Sequence, residues 1–151
     1  RAEALLADGD VEAARPLLEE ALDEEPEHEG ARALLARTLA LTDPERAAAL
    51  TDGLYTPEAD AVRTLARLRR LADDPEALPD APVKAVYLAA AEAVRAGDVD
   101  AALERLVGVV QRDRSYDDDG ARKAAVALFV LLGEADPAVQ KHRPVFNRSL
   151  Y

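Results

Sequence analysis

A six-residue corner occurs twice in this chain. Gly9-Asp10-Val11-Glu12-Ala13-Ala14 returns as Gly97-Asp98-Val99-Asp100-Ala101-Ala102, with a single change of Glu to Asp. Glycine takes the left-handed conformation that ends a helix at small cost. Aspartate accepts a hydrogen bond from the free N–H groups that open the next helix and meets the positive end of its dipole. The paired alanines let the second helix lie close to the first. Residues 86–110, VYLAAAEAVRAGDVDAALERLVGVV, read as two helices folded across Ala96-Gly97-Asp98. A chain that reuses such a corner is expected to be a helical-hairpin repeat, used for binding or scaffolding.

Composition agrees with helices. Apolar residues make up 49% of the 151 positions but aromatics only 4%, and most of the apolar content is alanine and leucine. Strands favour β-branched and aromatic residues, whereas alanine and leucine favour packed helices. The length suits one domain, spanning 1–151, at about 100–200 residues per domain. The absence of cysteine removes disulfides, thiolate chemistry and cysteine-ligated metals from this segment. No apolar run nears the roughly 20 residues of a membrane span, and no signal peptide is visible, so a cytoplasmic location is expected. With no methionine present, Arg1 is not an initiator, and we expect a longer parent chain.

The net charge of −11 argues against nucleic acid and anionic membranes as partners. It is concentrated: residues 1–30 hold eleven acids against Arg1 and Arg15, while 138–151 carry Lys141, Arg143 and Arg148 with no acid. The acidic face reads first as a solvated surface.

In chain order, residues 1–7 read as the end of a helix and 11–25 as its partner, with Pro16 expected to kink it. A helix is expected over 27–41, and Asp43-Pro44 opens another that Thr51-Asp52-Gly53 stops early. Gly9 and Asp43 stand 34 residues apart, as do Ala14 and Ala48, which is the tetratricopeptide period. Residues 56–72 form a basic helix carrying Arg63, Arg67, Arg69 and Arg70. A loop follows from 73 to 82, and the hairpin helices span 82–96 and 99–112. Gly97 follows Gly9 by 88 residues, not a multiple of 34, so an odd helix interrupts the array. Asp117, Asp118 and Asp119 are expected to cap a buried apolar helix over 121–132, with Arg112, Arg114, Arg122 and Lys123 pairing around them. Asp136-Pro137 opens a last helix that Arg143-Pro144 kinks or splits.

The final third carries a more specific likeness. The run Gln111-Arg112-Asp113-Arg114-Ser115-Tyr116 is followed by Asp119-Gly120-Ala121-Arg122-Lys123, Leu128-Phe129 and Leu132-Gly133. It closes with Asp136-Pro137, Arg143 and Leu150-Tyr151. This resembles the C-terminal tetratricopeptide region of bacterial thioredoxin-like co-chaperones, the chaperedoxin type. Their thioredoxin domain and its Cys-x-x-Cys are not in this sequence, and Pro144 interrupts a helix that in those proteins is more often an unbroken Arg-rich run. The resemblance implies a holdase or adaptor that binds unfolded clients and passes them to a chaperonin, with the last helix as a docking element and a thioredoxin-like domain upstream.

Catalytic chemistry finds little support. His28 and His142 are far apart and neither has a second histidine beside it, so no metal site can be assembled. The Asp triplet lacks the alternating ligands and the bidentate Glu of a calcium loop. The scattered glycines make no phosphate-binding spacing. No catalytic residue, cofactor or metal is expected. The working surface of a hairpin array is lined by the first helix of each pair, here 31–41 and 83–96, which offer Arg32, Arg37, Tyr87, Glu92 and Arg95. The end of the chain adds His142, Arg143, Val145, Phe146, Leu150 and Tyr151. The expected fold is all-α, an irregular tetratricopeptide-like α-solenoid of about eight or nine helices. The expected function is protein–protein interaction, with unfolded clients or a chaperonin as partners. The alternatives are a scaffold for one folded partner, or an accessory or regulatory domain of an enzyme whose catalytic part lies upstream.

Overall fold

The computed structural model describes Ala4 and residues 10–151. Eight α-helices occur among the described residues: α1 (Val11–Glu24), α2 (Glu29–Leu39), α3 (Pro44–Leu50), α4 (Pro57–Asp73), α5 (Lys84–Ala96), α6 (Val99–Arg112), α7 (Tyr116–Leu132) and α8 (Pro137–Ser149). The expected helix end at 1–7 and the Gly9 stop fall, Ala4 apart, outside the described residues.

Short polar residues set most of the starts. Asp10, His28, Asp43, Thr56, Asp98 and Asp136 each accept from a backbone N–H two or three residues on, at 2.8–3.3 Å. Each satisfies a donor the first turn leaves free. Gly97 ends α5 at φ 76°, the left-handed C-cap read from the repeated corner. Pro16 and Pro144 stand inside α1 and α8, yet each helix runs on through its proline. Pro144 therefore does not split the last helix. Both prolines are exposed, where the carbonyl deprived of its N–H partner can bond to water.

The core is leucine, valine and many alanines. Leu35, Leu65, Leu103, Leu106, Leu128, Val94 and Val109 are sealed from solvent, and Ala47, Ala66, Ala90, Ala91, Ala102, Ala121 and Ala125 sit at helix contacts with no exposed surface. Each buried leucine contributes about 1.5–3 kcal/mol, and the alanines bring backbones close enough for leucines to interlock.

Successive helices pack as neighbours from α1 to α7. One further pairing changes the architecture. The odd helix α4, besides touching α3 and α5, lies along α7. Helices α4, α5, α6 and α7 thereby close into a ring of four, each packed on two others. The α1–α3 segment extends from one side, through α2 and α3 on α4, and α8 lies mainly against α6. The break in the 34-residue period marks the helix shared by these two parts. The expected loop over 73–82 holds a 3-10 turn at Pro75–Ala77 and is anchored by buried Leu78 and by the Tyr116 hydroxyl, which donates to the Pro79 carbonyl at 2.5 Å.

Candidate functional site

A polar cluster tying three helices together lies where α4, α5 and α7 meet. Arg67 projects from α4 and Tyr87 from α5, with the Tyr87 ring buried edge-on against Tyr116 at a centroid distance of 5.6 Å. Asp117 reaches between them. Arg67 Nη1 and Nη2 donate to Asp117 Oδ2 and Oδ1, both at 2.7 Å, and the Tyr87 hydroxyl donates to Oδ2 at 2.6 Å.

The backbone that delivers Asp117 is unusual. Asp117, Asp118 and Asp119 have φ of 55°, 54° and 65°, a left-handed turn at the start of α7. Right-handed helix begins only after Asp119, close to the expected start at 121, but the aspartates do not cap it: their carboxylates turn to Arg67, Tyr87, Lys123 and Arg122 instead of to the backbone. A left-handed residue costs about 1–2 kcal/mol, with aspartate at the tolerant end. Charged hydrogen bonds contribute about 1.5–3 kcal/mol each, so the Asp117 contacts and the strain are comparable in size. Gly120 completes the fit: a Cβ there would fall 2.3 Å from the Tyr87 hydroxyl oxygen and 2.7 Å from Asp117 Oδ2.

Electrostatics fix each partner's proton. The hydrogen bond to Asp117 pushes the Arg67 guanidinium further up. Burial first, and the bond to Asp117 second, raise the Tyr87 phenol well above its ordinary value. Partial burial pushes the Asp117 carboxyl up, but the hydrogen bonds from Arg67 and Tyr87 outweigh it and hold it below the usual carboxylate range. Arg67 and Tyr87 therefore keep their protons and donate to Asp117, which as a carboxylate only accepts. Beside them is a pocket of about 190 Å³ lined by Thr64, Arg67, Tyr87, Asp118, Gly120 and Lys123, among others.

The residues named from sequence are dispersed. Arg32 is mostly covered and donates to the carbonyls of Leu50, at 3.1 Å, and Asp52, closing the end of α3. Arg95 bonds to Asp73 and lies 3.6 Å from Glu92, tying α5 to the end of α4. Tyr87, His142 and Phe146 are buried, which corrects their placing on an open surface. Apolar packing takes the Tyr87 ring. His142 Nε2 meets Asp100 Oδ1 at 2.7 Å, and Phe146 stacks edge-on against Phe129 at 5.2 Å. The hydrogen bond from His142, and then that from Lys141, lowers the Asp100 carboxyl below its ordinary value. Arg143 pairs with Glu134 and lies 5.1 Å over the Phe129 ring. Leu150 is half-buried, and its carbonyl accepts from Arg114 at 3.1 Å. Of the eleven residues named from sequence, Arg37, Glu92 and Tyr151 stand exposed.

The local pairing around the aspartates is partly as read: Arg122 bonds to Asp119 at 2.5 Å, Arg114 lies 3.8 Å from it, and Lys123 meets Asp118 at 3.3 Å. Sequence reasoning missed Asp117 with Arg67. The available signals were the arginine spacing on α4 and a glycine directly after three aspartates. Arg63, on the same helix, is also committed internally, donating to the Thr51 and Leu54 carbonyls at 3.0 and 2.9 Å.

Helices joined by capped corners, each packed on its neighbours in the chain, define a repeat protein of the helical-hairpin class. Tetratricopeptide repeat patterns match residues 5–54 and residues 59–151, the second covering more than half of the sequence. The chain belongs to the tetratricopeptide repeat family, whose repeats generally mediate protein–protein interaction. No curated protein and no solved structure matches it. Among the described residues no helix is long and apolar enough to cross a membrane.

Proposed function

We propose that this chain is a non-catalytic, cytoplasmic interaction module of the co-chaperone type: a holdase segment that binds unfolded clients and presents them to a chaperonin, following a thioredoxin-like domain in a longer protein. Family membership supports protein partners. The likeness of residues 111–133 and of the closing Leu150-Tyr151 to the chaperedoxin type supports the finer reading. The observation that carries the interaction reading is the repeat match over residues 5–54 and 59–151, since arrays of such repeats offer extended helix surfaces to protein partners.

The test is aggregation of a chemically unfolded client with and without the protein, repeated with a variant lacking residues 136–151. Slower aggregation with the intact chain supports the holdase reading; identical aggregation curves count against it. A single dominant partner captured from lysate and lost on truncation would instead favour a scaffold for one folded protein.

A further inference from the structure

The turn at residues 117–119 combines features that a simple connection from Ser115 into α7 does not need. Three consecutive non-glycine residues hold positive φ. Of their carboxylates, only that of Asp117 is fastened to other helices, by Arg67 of α4 and Tyr87 of α5. Asp118 is exposed and meets Lys123, and Asp119 pairs with Arg122 and Arg114, all within four residues or so of the turn. Among the described residues, Asp117 is thus the one member of the turn whose side chain bonds to another helix. Right-handed helix is the lower-energy backbone for the same residues once that hold is removed.

We propose that residues 117–119 form a latch with two positions. Docked, as the structure shows, the Asp117 carboxylate fills the space between Arg67 and Tyr87. Released, the three aspartates rewind as a right-handed turn of α7, and the Arg67 guanidinium and Tyr87 hydroxyl open onto the pocket they line with Thr64 and Lys123. The released pocket presents a forked pair of N–H donors, a phenol O–H and an ammonium, a set that suits an oxyanion. An oxyanion that takes Asp117's place therefore drives the release. The docked carboxylate acts as an internal competitor and lowers apparent affinity by the fraction of molecules it closes.

The double variant Arg67→Gln/Tyr87→Phe removes both partners of Asp117 without altering the turn's own residues. NMR Cα shifts and HN–Hα couplings of 117–119 in this variant should move from left-handed to right-handed values while amide shifts elsewhere hold. Left-handed values retained in the folded double variant would show that the turn is set by its own sequence, and overturn the latch. Unfolding of the double variant would make the contact a keystone of the fold and also overturn it. In a second arm, inorganic phosphate is titrated at constant ionic strength into wild type and Asp117→Ala. Shifts at the Arg67 and Lys123 side chains should saturate with a Kd about tenfold lower in the variant, the ratio for a latch open in about one molecule in ten. Equal or absent binding in the two proteins would overturn the competition.

Discussion

Arg67 and Asp117, fifty residues apart in the chain, meet through two parallel hydrogen bonds of 2.7 Å each. The pair joins α4 to α7, and Tyr87 adds a third bond from α5. Arg67→Gln is expected to destabilise the protein by about 1–2 kcal/mol in urea unfolding, less than the about 3–5 kcal/mol of a broken fully buried pair. Arg67 is half-exposed, and the turn sheds left-handed strain as the contact is lost. A cost within or above the buried-pair range would contradict that balance.

Asp118 isolates the backbone from the charge. Its side chain is fully exposed and reaches only Lys123, a contact worth about 0–1 kcal/mol. At φ 54° glycine is unstrained, so Asp118→Gly should stabilise by about 0.5–1 kcal/mol, while Asp118→Ala should destabilise by a similar amount. Thermal melts of the two variants give opposite signs. The same sign for both would contradict the left-handed turn.

Gly120 and Gly108 make a matched pair within helices. A methyl at Gly120 collides with the Tyr87 hydroxyl and Asp117, whereas at Gly108 on α6 nothing lies within 4 Å. Gly120→Ala should destabilise by about 1–3 kcal/mol, and Gly108→Ala should stabilise by up to about 1 kcal/mol. Chemical denaturation of both variants checks this contrast.

Acid tests the Asp117 carboxyl. Its folded value lies below its unfolded value, so its contribution is fully present above the unfolded pKa of about 3.9 and is lost as pH falls through the lowered folded value. Stability measured from pH 5 downward should fall, and Asp117→Asn should fall less steeply over the acid end of that range. Parallel curves would remove Asp117 from the acid response.

Much of the helical layout was legible because its signals are local. Asp43-Pro44, Thr56-Pro57, Asp98 and Gly97 act within one turn of themselves, so each start or stop can be read from a few neighbouring residues. The irregular period likewise implied an odd helix between the repeat units, though not its packing along α7. The split allowed for at Pro144 does not occur because a helix tolerates proline where the freed carbonyl faces water, and exposure is a tertiary property. The Arg67–Asp117 contact stayed hidden because no local spacing links residues fifty positions apart. Residues 117–119 fit a capping pattern, and the arginine and tyrosine that hold Asp117 in its left-handed turn stand fifty and thirty residues away. Tyr87, His142 and Phe146 carry polar or aromatic groups that suit a surface, and it is packing from distant helices that encloses them.

The closure of α4 on α7 alters how this chain must fold. An open repeat array behaves as a one-dimensional lattice, where each unit adds its own stability and a neighbour term, and order can spread from any point. Here α4 and α7 cannot meet until the intervening hairpin is in place, so the entropy of closing a long segment must be overcome before the reward arrives. Residues 57–132 should therefore order in one cooperative step, while α1–α3 can melt from it separately. Native-state hydrogen exchange would resolve two foldons, with the lower opening free energy in α1–α3.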